Sequence, residues 1–172
     1  RRSKHDREFE LTDTGVFEKG RYFDVVVEYA KADVDDILAR ITVHNRGPEQ
    51  ARIHVLPTIW FRNTWSWGRG EPKPRVKRCS SAPTVIELTE STYGKRWAVF
   101  DQSPELLFTE NESNAHRLWG QTNRTPYVKD SFHEYLVSGN RDAVNPARSG
   151  TKAAAHYPFE VPGFGEFDRQ RT

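Results

Sequence analysis

Three features of this 172-residue sequence predict an all-β, antiparallel fold. Apolar and polar residues alternate strictly through much of the first third, turn-forming clusters separate those stretches, and the alternation returns near the end of the chain. Period-two patterning marks strands with one buried and one solvated face. The stretches approach ten residues, against a usual strand length of ~5–6, which favours a large extended sandwich over a small barrel.

The elements follow in order. In residues 21–31, Phe23, Val25, Val27 and Tyr29 share a face opposite Asp24, Glu28 and Ala30. In 35–44, Ile37, Ala39, Ile41 and Val43 alternate with Leu38, Arg40 and Thr42. In 50–62, Ala51, Ile53, Val55, Ile59 and Phe61 line one face. Turns are expected at 32–35 and 45–49, the second containing Gly47 and Pro48. Residues 69–83 hold Gly70, Pro72, Pro74 and five basic residues without periodicity, and read as an exposed basic loop. Shorter strands are expected at 84–88, 96–100 and 105–109, with turns at Gly94 and at Ser103-Pro104.

From 110 to 150 no strand pattern survives, and an irregular insertion with short helices is expected. Residues 111–119 suit a helical turn capped by Ser113. Residues 130–137 suit a helix with Asp130 near its start and Phe132, Tyr135 and Leu136 on one side. Irregular chain of this length inside a domain is usually functional or packs on something outside it. Alternation resumes at 152–159, with Ala153, Ala155, Tyr157 and Phe159 on one side, and 164–171 is a thin candidate for a last strand.

The length fits one domain, residues 1–172, able to bury roughly 70% of its unfolded surface. Only 35% of residues are apolar and 29% are charged, so a few large side chains must carry the core. An aromatic content of 12% argues against disorder. Net charge is +2, too mild to imply nucleic-acid binding. A single cysteine, Cys79, excludes an internal disulfide framework and a multi-cysteine zinc site. It favours the cytoplasm and leaves the periplasm open. No stretch approaches the ~18 apolar residues of a membrane helix, and none has a secretory-signal pattern. The sequence contains no methionine, so it reads as a piece of a longer protein.

The most informative stretch is Trp60-Phe-Arg-Asn-Thr-Trp-Ser-Trp-Gly68, which holds three of the five tryptophans. Trp60 and Phe61 fall on opposite faces, so one of them faces away from the core. Beyond Arg62 the strand is expected to end, and in an extended chain Trp65 and Trp67 would project the same way. Large rings interleaved with Arg62, Asn63 and Thr64 suit a sugar-stacking platform or a contact with another domain. The plainer alternative is a set of rings capping the sandwich core.

Catalytic chemistry is harder to find. A glycosidase needs two carboxylates set ~5–9.5 Å apart. Glu110 and Glu112 would share a face only if strand geometry persisted past 109, and Asp130 with Glu134 belongs to a helix start. His44 and His54 could meet across a hairpin, His116 stands alone, His133 adjoins Glu134 without HExxH spacing, and His156 has only small neighbours in sequence. No metal-ligand cluster, nucleophile elbow or phosphate-cradling glycine loop is present, and no metal or cofactor is expected. The basic loop with Arg69, Lys73, Arg75, Lys77 and Arg78 suits a solvated segment better than a nucleic-acid site, since 24 acidic residues nearly balance 26 basic ones.

Several segments in this order carry a resemblance: Asp13-Thr-Gly-Val-Phe17, Tyr22-Phe-Asp-Val25, Ile41-Thr-Val-His-Asn-Arg-Gly-Pro48, Leu56-Pro-Thr-Ile-Trp60 running on to Gly68, Thr109-Glu-Asn-Glu112, Tyr127-Val-Lys-Asp130 and Ala143-Val-Asn-Pro-Ala-Arg148 running on to Tyr157. Together they resemble the N-terminal part of bacterial glucosidase-like proteins of glycoside hydrolase family 63, relatives of processing α-glucosidase. The match spans nearly the whole chain and loosens from Gly163 onward. It implies an antiparallel supersandwich, galactose mutarotase-like, that packs on a separate (α/α)6 catalytic barrel carrying both catalytic carboxylates. No catalytic residue is therefore expected here, and the chain alone should be inactive. The expected partners are that barrel and an oligosaccharide, with no nucleic acid and no membrane. Docking or sugar contact falls to Trp60, Arg62, Asn63, Trp65 and Trp67, with Trp119, Tyr127, Lys129 and Asp130 as secondary candidates. The alternatives are a free-standing carbohydrate-binding module and a mutarotase-like sugar-active enzyme, which would need a carboxylate and a histidine converging in a sheet pocket.

Overall fold

A computed structural model describes residues 3–167. A 3-10 turn, Leu11–Thr14, precedes eleven strands: β1 (Phe23–Asp33), β2 (Asp36–Asn45), β3 (Ala51–Val55), β4 (Thr58–Trp60), β5 (Arg75–Arg78), β6 (Val85–Glu90), β7 (Gly94–Val99), β8 (Glu105–Thr109), β9 (Ser149–Gly150), β10 (Lys152–Val161) and β11 (Glu166–Phe167). Two short helices, α1 (Ala115–Trp119) and α2 (Ser131–Val137), fall between β8 and β9. The fold is all-β, and the registered strand pairs are antiparallel. The chain divides into two compact units, Arg1–Ile53 with Pro158–Thr172, and His54–Tyr157.

The first unit contains the sheet β1-β2-β11. The alternating faces meet as their pattern requires, with Val25 opposite Val43, Val27 opposite Ile41 and Tyr29 opposite Ala39. Val34 and Asp35 make the turn, and the ladder shifts register between Lys31 and Asp33. Half-burial does not follow, because β1 is exposed beyond Asp24: Tyr29 is 74% exposed and Ile37 70%. In β2, burial begins only at Thr42 and Val43. The expected turn at 45–49 is pinned by buried Asn45. Its amide donates to the carbonyls of Glu49 (2.7 Å) and Val161 (3.1 Å), and its oxygen accepts from Gly47 N–H. Of the expected strand at 164–171, β11 supplies Glu166–Phe167, and residues 168–171 lie outside the described residues.

The second unit is a sandwich. One sheet sets β10 between β4 and β8, with β3 also pairing to β10, and the other has the order β7-β6-β5-β9. Between them lie Val76, Ile86 and Leu88 from β5 and β6, facing Phe108 and Ala153 from β8 and β10. On the opposite face of the first sheet, Leu107 and Ala154 pack against Phe132 and Tyr135 of α2. The expected helix side of Phe132, Tyr135 and Leu136 is thus the packed side.

Several expectations need correction. The stretch 50–62 is two strands, because Pro57 lacks an N–H and cannot continue the ladder. The basic loop 69–83 contains β5, whose Val76 is fully buried while Lys77 pairs with Glu87 (3.1 Å). One inward valine among basic residues leaves no visible period. β10 is buried on both faces from Ala153 to Tyr157, not on one. Asn114, not Ser113, caps α1, accepting from Arg117 N–H (3.1 Å).

Neighbouring residues of β8 should respond oppositely to substitution. Phe108, 1% exposed in the sandwich core, should cost about 3–5 kcal/mol on truncation to alanine. Thr109 is fully buried and its hydroxyl has no hydrogen-bond partner among the described residues. Thr109→Val should therefore be neutral or stabilising, by up to about 1 kcal/mol. Denaturant unfolding of both variants checks the pair.

Candidate functional site

The tryptophan segment lies at the end of the β4-β10-β8 sheet. Ile59 pairs with Ala153 and Trp60 with Lys152, so Phe61 packs on the sandwich core and Trp60 faces outward, 57% exposed. The ladder continues one bond further, from Phe61 N–H to the Thr151 carbonyl (3.1 Å). Beyond it the chain does not stay extended. Trp65–Trp67 is a 3-10 turn closed by Gly68 at φ 72°, where a side chain would be strained. Asn63 supports that turn by accepting from Ser66 N–H (3.3 Å).

The turn sends its two tryptophans to different environments, correcting their expected common direction. Trp65 is half-buried and donates its ring N–H to Glu112 (3.2 Å). Trp67 is 48% exposed, with the guanidinium of Arg62 5.2 Å and that of Arg69 5.0 Å from its ring centre. Cations over an indole face at these distances are favourable by roughly 0.5–1 kcal/mol at exposed sites.

Lys73 joins the parts. Its ammonium lies 3.0 Å from Glu110, 3.2 Å from Glu112 and 5.9 Å from the Trp65 ring centre. Thr151 fixes Glu110 with a 2.7 Å hydrogen bond and accepts from Asn111 N–H, while Asn111 donates to the Phe61 carbonyl (2.8 Å). Segment 110–112 is therefore bonded both to the tryptophan strand and to the start of β10. One ammonium is thus shared between the two carboxylates, and Glu112 also holds the Trp65 ring N–H. The pair works as an anchor for Lys73 and Trp65.

The secondary candidates join the same framework. Glu110 N–H donates to the Tyr127 carbonyl (2.8 Å) and Lys129 N–H to the Glu112 carbonyl (3.0 Å), so 127–129 runs alongside 110–112. Lys152 donates to the Lys129 carbonyl (2.6 Å) with its ammonium 4.8 Å from the Phe132 ring centre. Asp130 pairs with Arg117 (3.1 Å) and accepts from Asn114, holding α1, whose last residue Trp119 is 63% exposed. The network thus joins Trp65, Tyr127, Lys129 and Asp130 to segment 110–112, while, among the described residues, Trp60 and Trp119 enter only through the backbone of β4 and α1 and the Trp67 ring meets Arg62 and Arg69. Sequence reasoning omitted Lys73, Thr151 and Lys152 from it, because each acts across a sequence separation that no local pattern reports.

Histidine placement also differs from expectation. His44 pairs with Asp24 in β1, and His54 meets His156, Nδ1 to Nε2 at 2.7 Å, because β3 pairs with β10. His156 in turn lies 3.4 Å from Glu105. Among the described residues, no group of three or more His, Cys, Asp or Glu is placed to hold a metal ion, and no helix is long and apolar enough to cross a membrane.

An uncharacterized protein of Saccharomyces cerevisiae, YMR196W, is 36% identical to the chain over 199 aligned positions. The match covers 96% of the chain and 18% of the yeast protein, so the chain spans less than a fifth of that relative's length. No family model matches the chain. No solved structure matches it.

Burial pushes the Lys152 ammonium below its ordinary value of 10.5, the Lys129 charge adds to this, and Asp130 opposes it. Between the lowered native value and 10.5 the unfolded chain binds more protons than the native one, so stability rises with pH through that window. Urea unfolding at several alkaline pH values should show this rise in the wild type and its loss in Lys152→Met.

Proposed function

We propose that this chain is the non-catalytic N-terminal β-sandwich region of an α-glucosidase-like glycoside hydrolase. In this reading it is a galactose mutarotase-like supersandwich that packs on an (α/α)6 barrel and lends its tryptophan loop to the rim of the barrel's active site. The observation that carries the reading is an edge where Trp60, Trp67 and Trp119 are about half exposed or more while Glu110 and Glu112 are tied to Lys73. Aromatic faces are offered outward and the adjacent acids are already committed. The resemblance to family 63 proteins supports the same reading, as does a yeast relative more than five times the length of the matched segment.

The test compares the longer parent protein with this chain. The parent should hydrolyse α-glucosides and the chain alone should not. Trp67→Ala should leave the chain's unfolding free energy within about 1 kcal/mol, since the ring is half exposed, and lower kcat/KM of the parent. Saturable oligosaccharide binding by the chain alone, abolished in Trp65→Ala or Trp67→Ala, would instead identify a binding module. Glucoside turnover by the chain alone would refute the proposal.

A further inference from the structure

A second feature of the sandwich unit is independent of the tryptophan edge. A cavity of about 370 Å³ opens beside β5, β8 and α2, within the range of small-molecule sites. Its lining includes three arginines, Arg78, Arg141 and Arg148, against one carboxylate, Glu105.

Arg78 and Arg148 are neighbours across adjoining segments, joined by a 3.0 Å bond from Arg78 N–H to the Arg148 carbonyl. Both side chains line the cavity, and neither guanidinium has a side-chain partner among the described residues. Arg148 also sits at φ 52°, although Gly150 stands only two residues on. Asn145 enforces that conformation: its carbonyl accepts from Arg148 N–H (3.0 Å), and its side chain binds Ala147 N–H (3.0 Å) and the Ser149 carbonyl (2.7 Å). Ser103, also in the lining, has φ 49°. Strained non-glycine backbone persists where the surroundings over-determine it, and it gathers at ligand sites.

The single carboxylate is held in place. Tyr135 donates to Glu105 (2.5 Å), His156 lies 3.4 Å from its other oxygen and is itself paired with His54, and Arg141 bonds the Tyr135 hydroxyl and pairs with Glu105 (3.7 Å). Burial and the Glu105 carboxylate push the Tyr135 phenol above its ordinary value, so it stays a neutral donor. A cavity with surplus guanidinium charge and one fixed carboxylate suits a ligand carrying an anionic group and hydroxyls. Guanidinium forks match phosphoryl oxygens in geometry as well as charge.

We propose that this cavity binds a phosphate monoester of a small polyhydroxylated compound, its phosphoryl group on Arg78 and Arg148 and a hydroxyl on Glu105. Calorimetric titration of the 172-residue chain with glucose 6-phosphate, inorganic phosphate and glucose tests this. Glucose 6-phosphate should bind, with affinity falling as salt is raised, and both other compounds should bind at least about tenfold more weakly. Arg78→Gln and Arg148→Gly should each weaken glucose 6-phosphate binding by about tenfold or more. Arg148→Gly removes the charge and relieves the strained φ together, so its thermal midpoint should stay level or rise. Loss of affinity without loss of stability separates a ligand role from a structural one. No binding of glucose 6-phosphate, equal binding of phosphate or glucose, or affinity undiminished in both variants would overturn the proposal.

Discussion

Ala153 and Ala154 point to opposite faces of β10, and both are buried. The first meets the sandwich core and the second meets α2. A strand covered on both sides must carry small side chains if sheet and helix are to approach it closely, and the run Ala153-Ala154-Ala155 meets that need. The same strand pairs with β4 on Lys152–Ala154 and with β8 on Lys152–His156. Both layers of the second unit, and the helix outside them, are therefore referred to one segment. Small core side chains contribute little apolar area each, so the large residues around them, Phe108, Phe132 and Tyr135, supply most of the burial.

The position of the tryptophan edge follows from this strand. Lys152 begins β10 and lies opposite both Trp60 and Thr109, which fixes where β4 and β8 end. What leaves those ends, the turn at 65–67 and the segment 110–112, must emerge side by side. Gly150 is part of the same constraint: a Cβ there would lie 2.2 Å from the Thr109 carbonyl oxygen, closer than any side chain tolerates. Lys73 also bridges to Glu110 and Glu112 there, and with the lysine this exposed the bridge adds little to stability.

Legibility in the sequence divides along physical lines. The β1–β2 hairpin was readable because its side-chain period and its turn are local, and β8 and α2 were readable for the same reason. β5 was hidden because only Val76 turns inward among Arg75, Lys77 and Arg78. The two-sided burial of β10 was hidden because alanine is compatible with either face. Trp60 and Phe61 could be assigned opposite directions from period alone. The Lys73 bridge, the His54–His156 contact and the convergence of Arg78, Arg141 and Arg148 depend on long-range pairing, to which no spacing rule applies. The exposure of β1 shows a further limit, since alternation records which face could be buried and says nothing about what covers it.

That exposure also bears on how the molecule behaves in a crowd of its own copies. β1 is an outer strand of its sheet, eleven residues long, with Val25, Val26, Val27 and Tyr29 in water. A free strand edge of this length is a template onto which another extended chain can add. Its protection is ionic: Asp24 is paired with Arg46, Glu28 with Arg40, and Lys31 adds a charge at the far end. An incoming strand would have to desolvate those groups before its backbone could pair. Asp24, Val26 and Glu28 share one face of β1, so the two ion pairs put charge on that face, while Val25, Val27 and Tyr29 leave the other face apolar.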